Sequence, residues 1–212
     1  QQKWSWNEAR EIVLSSFNEL SPEIAKIAGR FFDNNWIDAE IRNGKDSGAY
    51  AHPCIPDVHP YILMNYSGKS RDVMTLAHEL GHGVHQTLAS ENGYLLSDTP
   101  LTLAETASVF GEMLVFQKLL SKADTEENKK SMIAEKVEDM LNTVVRQIAF
   151  HNFETAFHDK RKSNELMPKQ ISEIWMETQS QALGDAIQLD DSYKSLWSYT
   201  VSYTHLTLPT SV

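Results

Sequence analysis

Apolar residues recur at helical spacing through most of the chain. Trp6, Ala9, Val13, Phe17 and Leu20 lie three or four apart, and Ser5 with Glu8 forms a capping box that satisfies free backbone donors at a helix start. Ser21 and Pro22 mark a second start, with Ile24, Ile27, Ala28 and Phe31 on one face. This pattern predicts a pair of core helices. From Arg42 to Pro60 it breaks, because Gly44, Gly48, Pro53, Pro56 and Pro60 come at a density no helix tolerates. Residues 61–66 (YILMNY) are a short apolar run rich in β-formers and predict a strand. Such a strand either offers its edge to an extended peptide or lies buried in a small sheet.

Helical spacing then returns. Ser70 as a cap and Asp72 in the first turn predict a helix running to about Ser90. Gly81 and Gly83 inside it each cost about 1 kcal/mol of helix stability. That points to a closely approaching neighbour, another helix or a substrate. Thr99 and Pro100 open a helix from Leu101 to about Leu120. It is apolar nearly all round (Leu103, Val109, Phe110, Met113, Leu114, Phe116) and is therefore expected to be buried. Its two carboxylates, Glu105 and Glu112, would be expensive there unless paired or metal-bound. Thr125 caps a long helix to about Lys162, with Ile133, Val137, Met140, Leu141, Val144, Val145, Ile148 and Phe153 as its seam. A last helix covers about 168–183. The chain reads as mainly α, with a small β element.

Composition narrows the possibilities. The 212 residues suffice for one domain with a core, and the formal net charge of -10 argues against nucleic acids and anionic membrane surfaces as partners. No apolar run approaches the ~18 residues of a membrane helix. A single cysteine, Cys54, excludes an intramolecular disulfide and fits a reducing compartment. The start at Gln1-Gln2-Lys3 has neither Met nor signal-peptide character, and predicts a segment of a longer chain.

The candidate chemistry sits in residues 75–86 (TLAHELGHGVHQ), which contain His-Glu-x-x-His on a helix. His78 and His82, four apart, project from one face and can grip one metal ion. Glu79 is rotated by about 100° from His78. It can flank the metal and take a proton from a metal-bound water. A catalytic zinc site needs a third protein ligand. Glu105 is the candidate, 23 residues after His82 beyond a turn that can fold its helix back antiparallel. The alternative is a structural helix with coincidental histidines. His85 reads as core or as support for the ligands. Glu112 can hold the free N–H of a ligand histidine or pair with a buried cation. His52 and His59 either line a cleft or are simply exposed, while His151 and His158 belong to helix faces.

Residues 48–50 (GAY), 64–68 (MNYSG), 71–82 (RDVMTLAHELGH) and 103–112 (LAETASVFGE) together resemble the catalytic core of oligoendopeptidase F, a relative of thimet oligopeptidase. Weaker resemblance runs from Trp4 to Tyr199. The resemblance implies a helical zincin-type catalytic domain with a deep channel. It implies one Zn2+ held by His78, His82 and Glu105, and Glu79 as the general base. The activity implied is endopeptidase cleavage of short unstructured peptides in the cytoplasm, and the loop from Gly48 to Cys54 would lie along the substrate.

Two departures temper this. The family's large N-terminal helical portion has no counterpart. After Tyr199 the family supplies a histidine and tyrosines to stabilise the oxyanion, but residues 200–212 (TVSYTHLTLPTSV) do not follow that pattern. Residues 1–199 are thus read as a partial catalytic domain and 200–212 as an atypical tail, with no oxyanion role given to Tyr203 or His205. Losing such donors typically costs about 10²–10³ in rate each. A zinc-binding helical fragment without turnover, and an exopeptidase on the same scaffold, are the competing functions.

Overall fold

A computed structural model describes residues 3–185 and 187–200. The chain divides after Lys129 into two compact units. The first unit begins with α1 (Trp6–Leu20) and α2 (Pro22–Asp33). The capping box forms as expected: Ser5 Oγ accepts from the Glu8 amide, and Glu8 Oε2 accepts from the Ser5 amide at 2.7 Å. Ser21 caps α2 through the Ile24 amide. Ala9, Ile12, Val13 and Phe17 of α1 and Ala28 and Phe31 of α2 are buried, so the helical spacing marks the true core face.

Between α2 and the next helix lies a three-stranded sheet: β1 (Ile37–Asp38), β2 (Tyr50–His52) and β3 (Tyr61–Leu63), in the order β1-β3-β2. Of these, only β3 was legible in the sequence, and it is central. It is parallel to β1 and antiparallel to β2. The free edge near the following helix therefore belongs to β2, and β3 is the buried alternative.

The long loop before β2 is tied down by Lys45, whose ammonium donates to the carbonyls of Asp38, Glu40 and Met64 at 2.7–2.9 Å and to Asp38 Oδ1 at 3.0 Å. Arg42 adds two further bonds to the Asp38 carboxylate.

α3 (Ser70–Ala89) follows. Its cap is not the Ser70 hydroxyl. Asp72 Oδ2 takes the amides of Ser67 and Lys69, while Ser70 Oγ accepts the indole N–H of Trp4. Gly68, at φ +89°, makes the turn, and a Cβ there would sit 2.9 Å from the Trp4 carbonyl oxygen. The two helix glycines admit neighbouring elements. A Cβ on Gly81 would lie 2.7 Å from the Ala107 oxygen and the Ser108 Cα, and one on Gly83 2.7 Å from the Phe31 ring.

α4 (Leu101–Ser121) packs on α3 at that point and reaches α1 as well, where Lys118 pairs with Glu19. Ala104, Val115, Phe116 and Leu119 are buried, but Leu103, Val109 and Phe110 are exposed, contrary to the expectation of a helix buried all round. An all-apolar surface shows that a helix can be covered on every side; it does not say that this chain supplies every cover.

In the second unit, the C-terminal half of α5 (Glu126–Arg161) and α6 (Pro168–Leu183) enclose Phe153, Phe157, Ile171, Ile174 and Trp175. A 3-10 segment at Asp191–Tyr199 closes this core, with the Trp175 indole donating to the Tyr193 carbonyl at 3.0 Å. The predicted α5 seam is buried at Phe153, but Ile133, Val137, Met140, Leu141, Val144 and Ile148 are 45–60% exposed. The tail expectation for residues 201–212 lies outside the described residues.

Candidate metal centre

The backbone contact at Gly81 brings the histidine face of α3 against α4. His78 Nε2 lies 3.4 Å from Glu105 Oε2, and His82 Nε2 lies 3.6 Å from Glu105 Oε1. One donor atom from each of the three residues falls within 4.8 Å of the other two. Donors bound tetrahedrally at 2.0–2.1 Å stand about 3.4 Å apart, so the spacing suits a zinc-sized ion.

The outer nitrogen of His78 is also engaged. His78 Nδ1 is 3.3 Å from Glu112 Oε2, and the Ala104 carbonyl lies by the His82 ring and favours its protonated form. Ser108 Oγ donates to Glu105 Oε2 at 2.9 Å. Partners of this kind fix the tautomer and orientation of ligating imidazoles. His78, His82, Glu105 and Glu112 thus sit together, with Glu105 half exposed rather than buried.

Two carboxylates dominate the electrostatics around His78. Burial alone would depress His78, but its contacts with Glu105 and Glu112 outweigh this and push it up to about 9. The His78 contact holds Glu105 down to about 2 against burial, with Ser108 and His82 assisting. Glu105 is therefore a full carboxylate at neutral pH, the state a ligand needs. His82 is lowered by burial. Glu79 lies outside the triad and is buried. Burial first, and Glu105 besides, raise it to about 7 against the opposing effects of His78 and the Ala51 amide. Its Oε2 has no hydrogen-bond partner among the described residues.

The sheet edge meets Glu79 at Ala51. The amides of Ile62 and Met64 donate to Trp36 and Asp38 on the β1 side. Tyr61 and Leu63 therefore face β2, and their partners His52 and Tyr50 face β3. Ala51 consequently points its N–H and C=O away from the sheet. The N–H faces the Glu79 carboxylate and favours its charged form, and the C=O accepts from Gln86 Nε2 at 3.2 Å. The sequence reading missed both Gln86 and the Ala51 backbone. Gln86 was findable, since it lies two turns after Glu79 on one helix stripe. The Ala51 backbone was not, because no side chain announces it.

The other histidines fall elsewhere. His85 lines a recess with Glu105, Leu103 and Phe110 but is not among the three clustered donors. His59 stacks on Trp36 at 3.7 Å, and His52 is exposed, its ring accepting the Cys54 amide. His151 and His158 are on exposed faces of α5.

The profile of Peptidase family M3 matches residues 17–208. Oligopeptidase PepF of Bacillus subtilis (strain 168) is 29% identical over 198 residues, which are 92% of this chain and 29% of that protein. Oligoendopeptidase F (chromosomal) of Lactococcus lactis subsp. cremoris is 34% identical over 160 residues, 75% of this chain and 26% of that protein. The chain thus spans less than a third of the length of these curated relatives. A crystal structure assigned to a peptidase from Chlamydophila abortus is similar with a TM-score of 0.70 at 27% identity, covering 96% of this chain and 35% of that one. PZ peptidase A with an inhibitor shares the fold at TM-score 0.71 and 19% identity, over 95% of this chain and 35% of that one. The profile match runs from within α1 past the last described residue: the chain belongs to peptidase family M3.

Proposed function

We propose that the protein represented by this chain is a zinc-dependent endopeptidase that hydrolyses internal bonds of short unstructured peptides in the cytoplasm. The observation that carries this reading is the convergence of His78, His82 and Glu105 beside a buried carboxylate, Glu79, that adjoins an outward-facing strand edge. These three residues would hold one Zn2+, with Glu112 and the Ala104 carbonyl orienting the rings. Zinc, when bound, would polarise the scissile carbonyl and make water nucleophilic at neutral pH. Glu79 takes the proton of the attacking water and returns it to the leaving amine. A carboxylate near neutrality is suited to both halves of that transfer. The β2 edge favours extended substrates, because only an extended backbone can pair along it. Among the described residues, no helix is long and apolar enough to cross a membrane.

Metal analysis and a doubly blocked, quenched peptide test the proposal. The expected result is one zinc per chain and zinc-dependent cleavage. Glu79→Gln should keep zinc and lose turnover, and undiminished cleavage by that variant would remove Glu79 as the base. Failure to cut blocked peptides while cutting free-ended ones would favour an exopeptidase. The exposed apolar residues of α5, together with the chain's short span of its relatives, favour a second reading: a zinc-binding helical fragment without turnover. Stoichiometric zinc without any cleavage would select it.

A further inference from the structure

We infer that Gln86 is a positioning residue of this site: from α3 its carboxamide holds the Ala51 carbonyl and so fixes the edge of β2 beside Glu79. Its consequence for turnover rests on the endopeptidase reading, but its geometry does not. Glu79 and Gln86 are seven apart, two turns along one face of α3. Both approach the same residue: Gln86 Nε2 donates to the Ala51 C=O at 3.2 Å, and the Ala51 N–H faces the Glu79 carboxylate. Ala51 is the β2 residue whose backbone groups both face away from β3. The clamp therefore acts on the part of the strand that an incoming peptide would meet.

Packing alone does not account for glutamine at this position. Gln86 is 9% exposed, and its Oε1 has no hydrogen-bond partner among the described residues. A buried amide left half satisfied costs stability that an apolar side chain of the same volume would avoid. The neighbouring buried positions Leu80 and Val84 are apolar. The donor is compatible with a bound peptide as well. A carbonyl oxygen has two lone pairs, so Ala51 can keep Gln86 while accepting a peptide N–H. The Ala51 N–H carries one proton, so it can serve Glu79 or a peptide carbonyl but not both. Gln86 would thus hold the strand in register while Glu79 is released for the chemistry.

The test is Gln86→Met, which keeps the volume and removes the donor. Gln86→Asn, a methylene too short to reach Ala51, serves where the Met variant fails to fold. Three quantities are read: zinc affinity, amide hydrogen exchange at Ala51, and kcat and KM per bound zinc for a doubly blocked peptide. The expected result is zinc affinity within about twofold of the parent, at least tenfold faster exchange at Ala51, and a kcat lowered about 10–100-fold with a smaller change in KM. Parent-like exchange at Ala51, or a parent-like kcat per zinc, would overturn the inference. If the parent binds no zinc or cuts no peptide, the endopeptidase reading fails. The exchange contrast then decides the clamp by itself.

Discussion

Replacing Gly81 with alanine tests how the two helices of the candidate metal site are held together. In an exposed helix interior this change stabilises by about 1 kcal/mol, because alanine has the better helix propensity. At Gly81 the added Cβ would stand 2.7 Å from both the Ala107 oxygen and the Ser108 Cα, and 3.1 Å from the Ala107 carbon. Carbon contacts prefer about 3.5–4.0 Å. All three atoms are backbone, so no side chain can rotate away, and α3 and α4 must separate locally by roughly 0.7–1 Å. Overpacking of this kind costs about 1–3 kcal/mol, which exceeds the propensity gain. We expect a net loss of about 1–2 kcal/mol, read as a lower melting temperature.

The same shift would move His78 and His82 on α3 away from Glu105 on α4, across gaps now 3.4 and 3.6 Å wide. Metal sites tolerate about 0.2 Å, so zinc affinity should fall at least about tenfold. Gly29→Ala is the control. It is the same chemical change inside α2, where an added Cβ meets nothing within 4 Å, and it should stabilise by about 0.5–1 kcal/mol with zinc affinity unchanged. Urea unfolding of the metal-free proteins and a competitive chelator titration supply both readouts. If Gly81→Ala matches Gly29→Ala in stability and binds zinc like the parent, the close helix contact is not what sets the site.

Three further outcomes follow from the same contacts. Glu112→Ala should weaken zinc binding about 10–100-fold by freeing His78 Nδ1, and an unchanged affinity in the chelator titration would show that Glu112 does not orient that ring. Lys45→Met leaves three backbone carbonyls and Asp38 Oδ1 without their buried cation, and should cost about 2–4 kcal/mol in urea unfolding; a loss under about 1 kcal/mol would contradict the clamp. Asp38 is held down to about 2, first by Arg42 and then by Lys45. Its folded pKa is thus below the ordinary ~3.9, so its contribution is complete above about pH 4 and is lost as pH falls toward 2. The stability gap between the parent and Asp38→Asn should therefore shrink from pH 7 to about pH 2.5, and a constant gap would refute the assignment.

What the sequence discloses depends on the kind of signal each feature leaves. Helices leave two, a period and a cap, and the start of α1 at Trp6 was readable from them. The triad was legible because helical geometry forces His78 and His82 onto one face, and because Glu105 stands on a helix that a turn can fold back. Strands of two and three residues leave no period, so β1 and β2 were invisible, and β3, flanked on both sides, could not be told from an edge. Ser70 was misread as a cap because a serine at a helix start has two uses. Here Asp72 caps, and the hydroxyl anchors Trp4. Apolar patterning also overstated burial at Leu103, Phe110 and along α5, since a hydrophobic face implies a cover without saying which chain provides it.

The glycines of α3 tie these levels together. Helix propensity disfavours Gly81 and Gly83, and each is retained where a Cβ would strike a neighbour. Gly81 lets α4 approach until Glu105 meets both imidazoles. Gly83 lets Phe31 of α2 pack against the same helix, which buttresses it from another side. The groups seen supporting the triad and Glu79 (Ala51, Ala104, Ser108 and Glu112) all lie between residues 51 and 112, within the first unit. The His-Glu-x-x-His spacing is thus necessary but not sufficient. The clustered donors follow from two helices brought to backbone contact by a residue without a side chain, and Glu79 faces a strand whose backbone, not its side chains, does the facing.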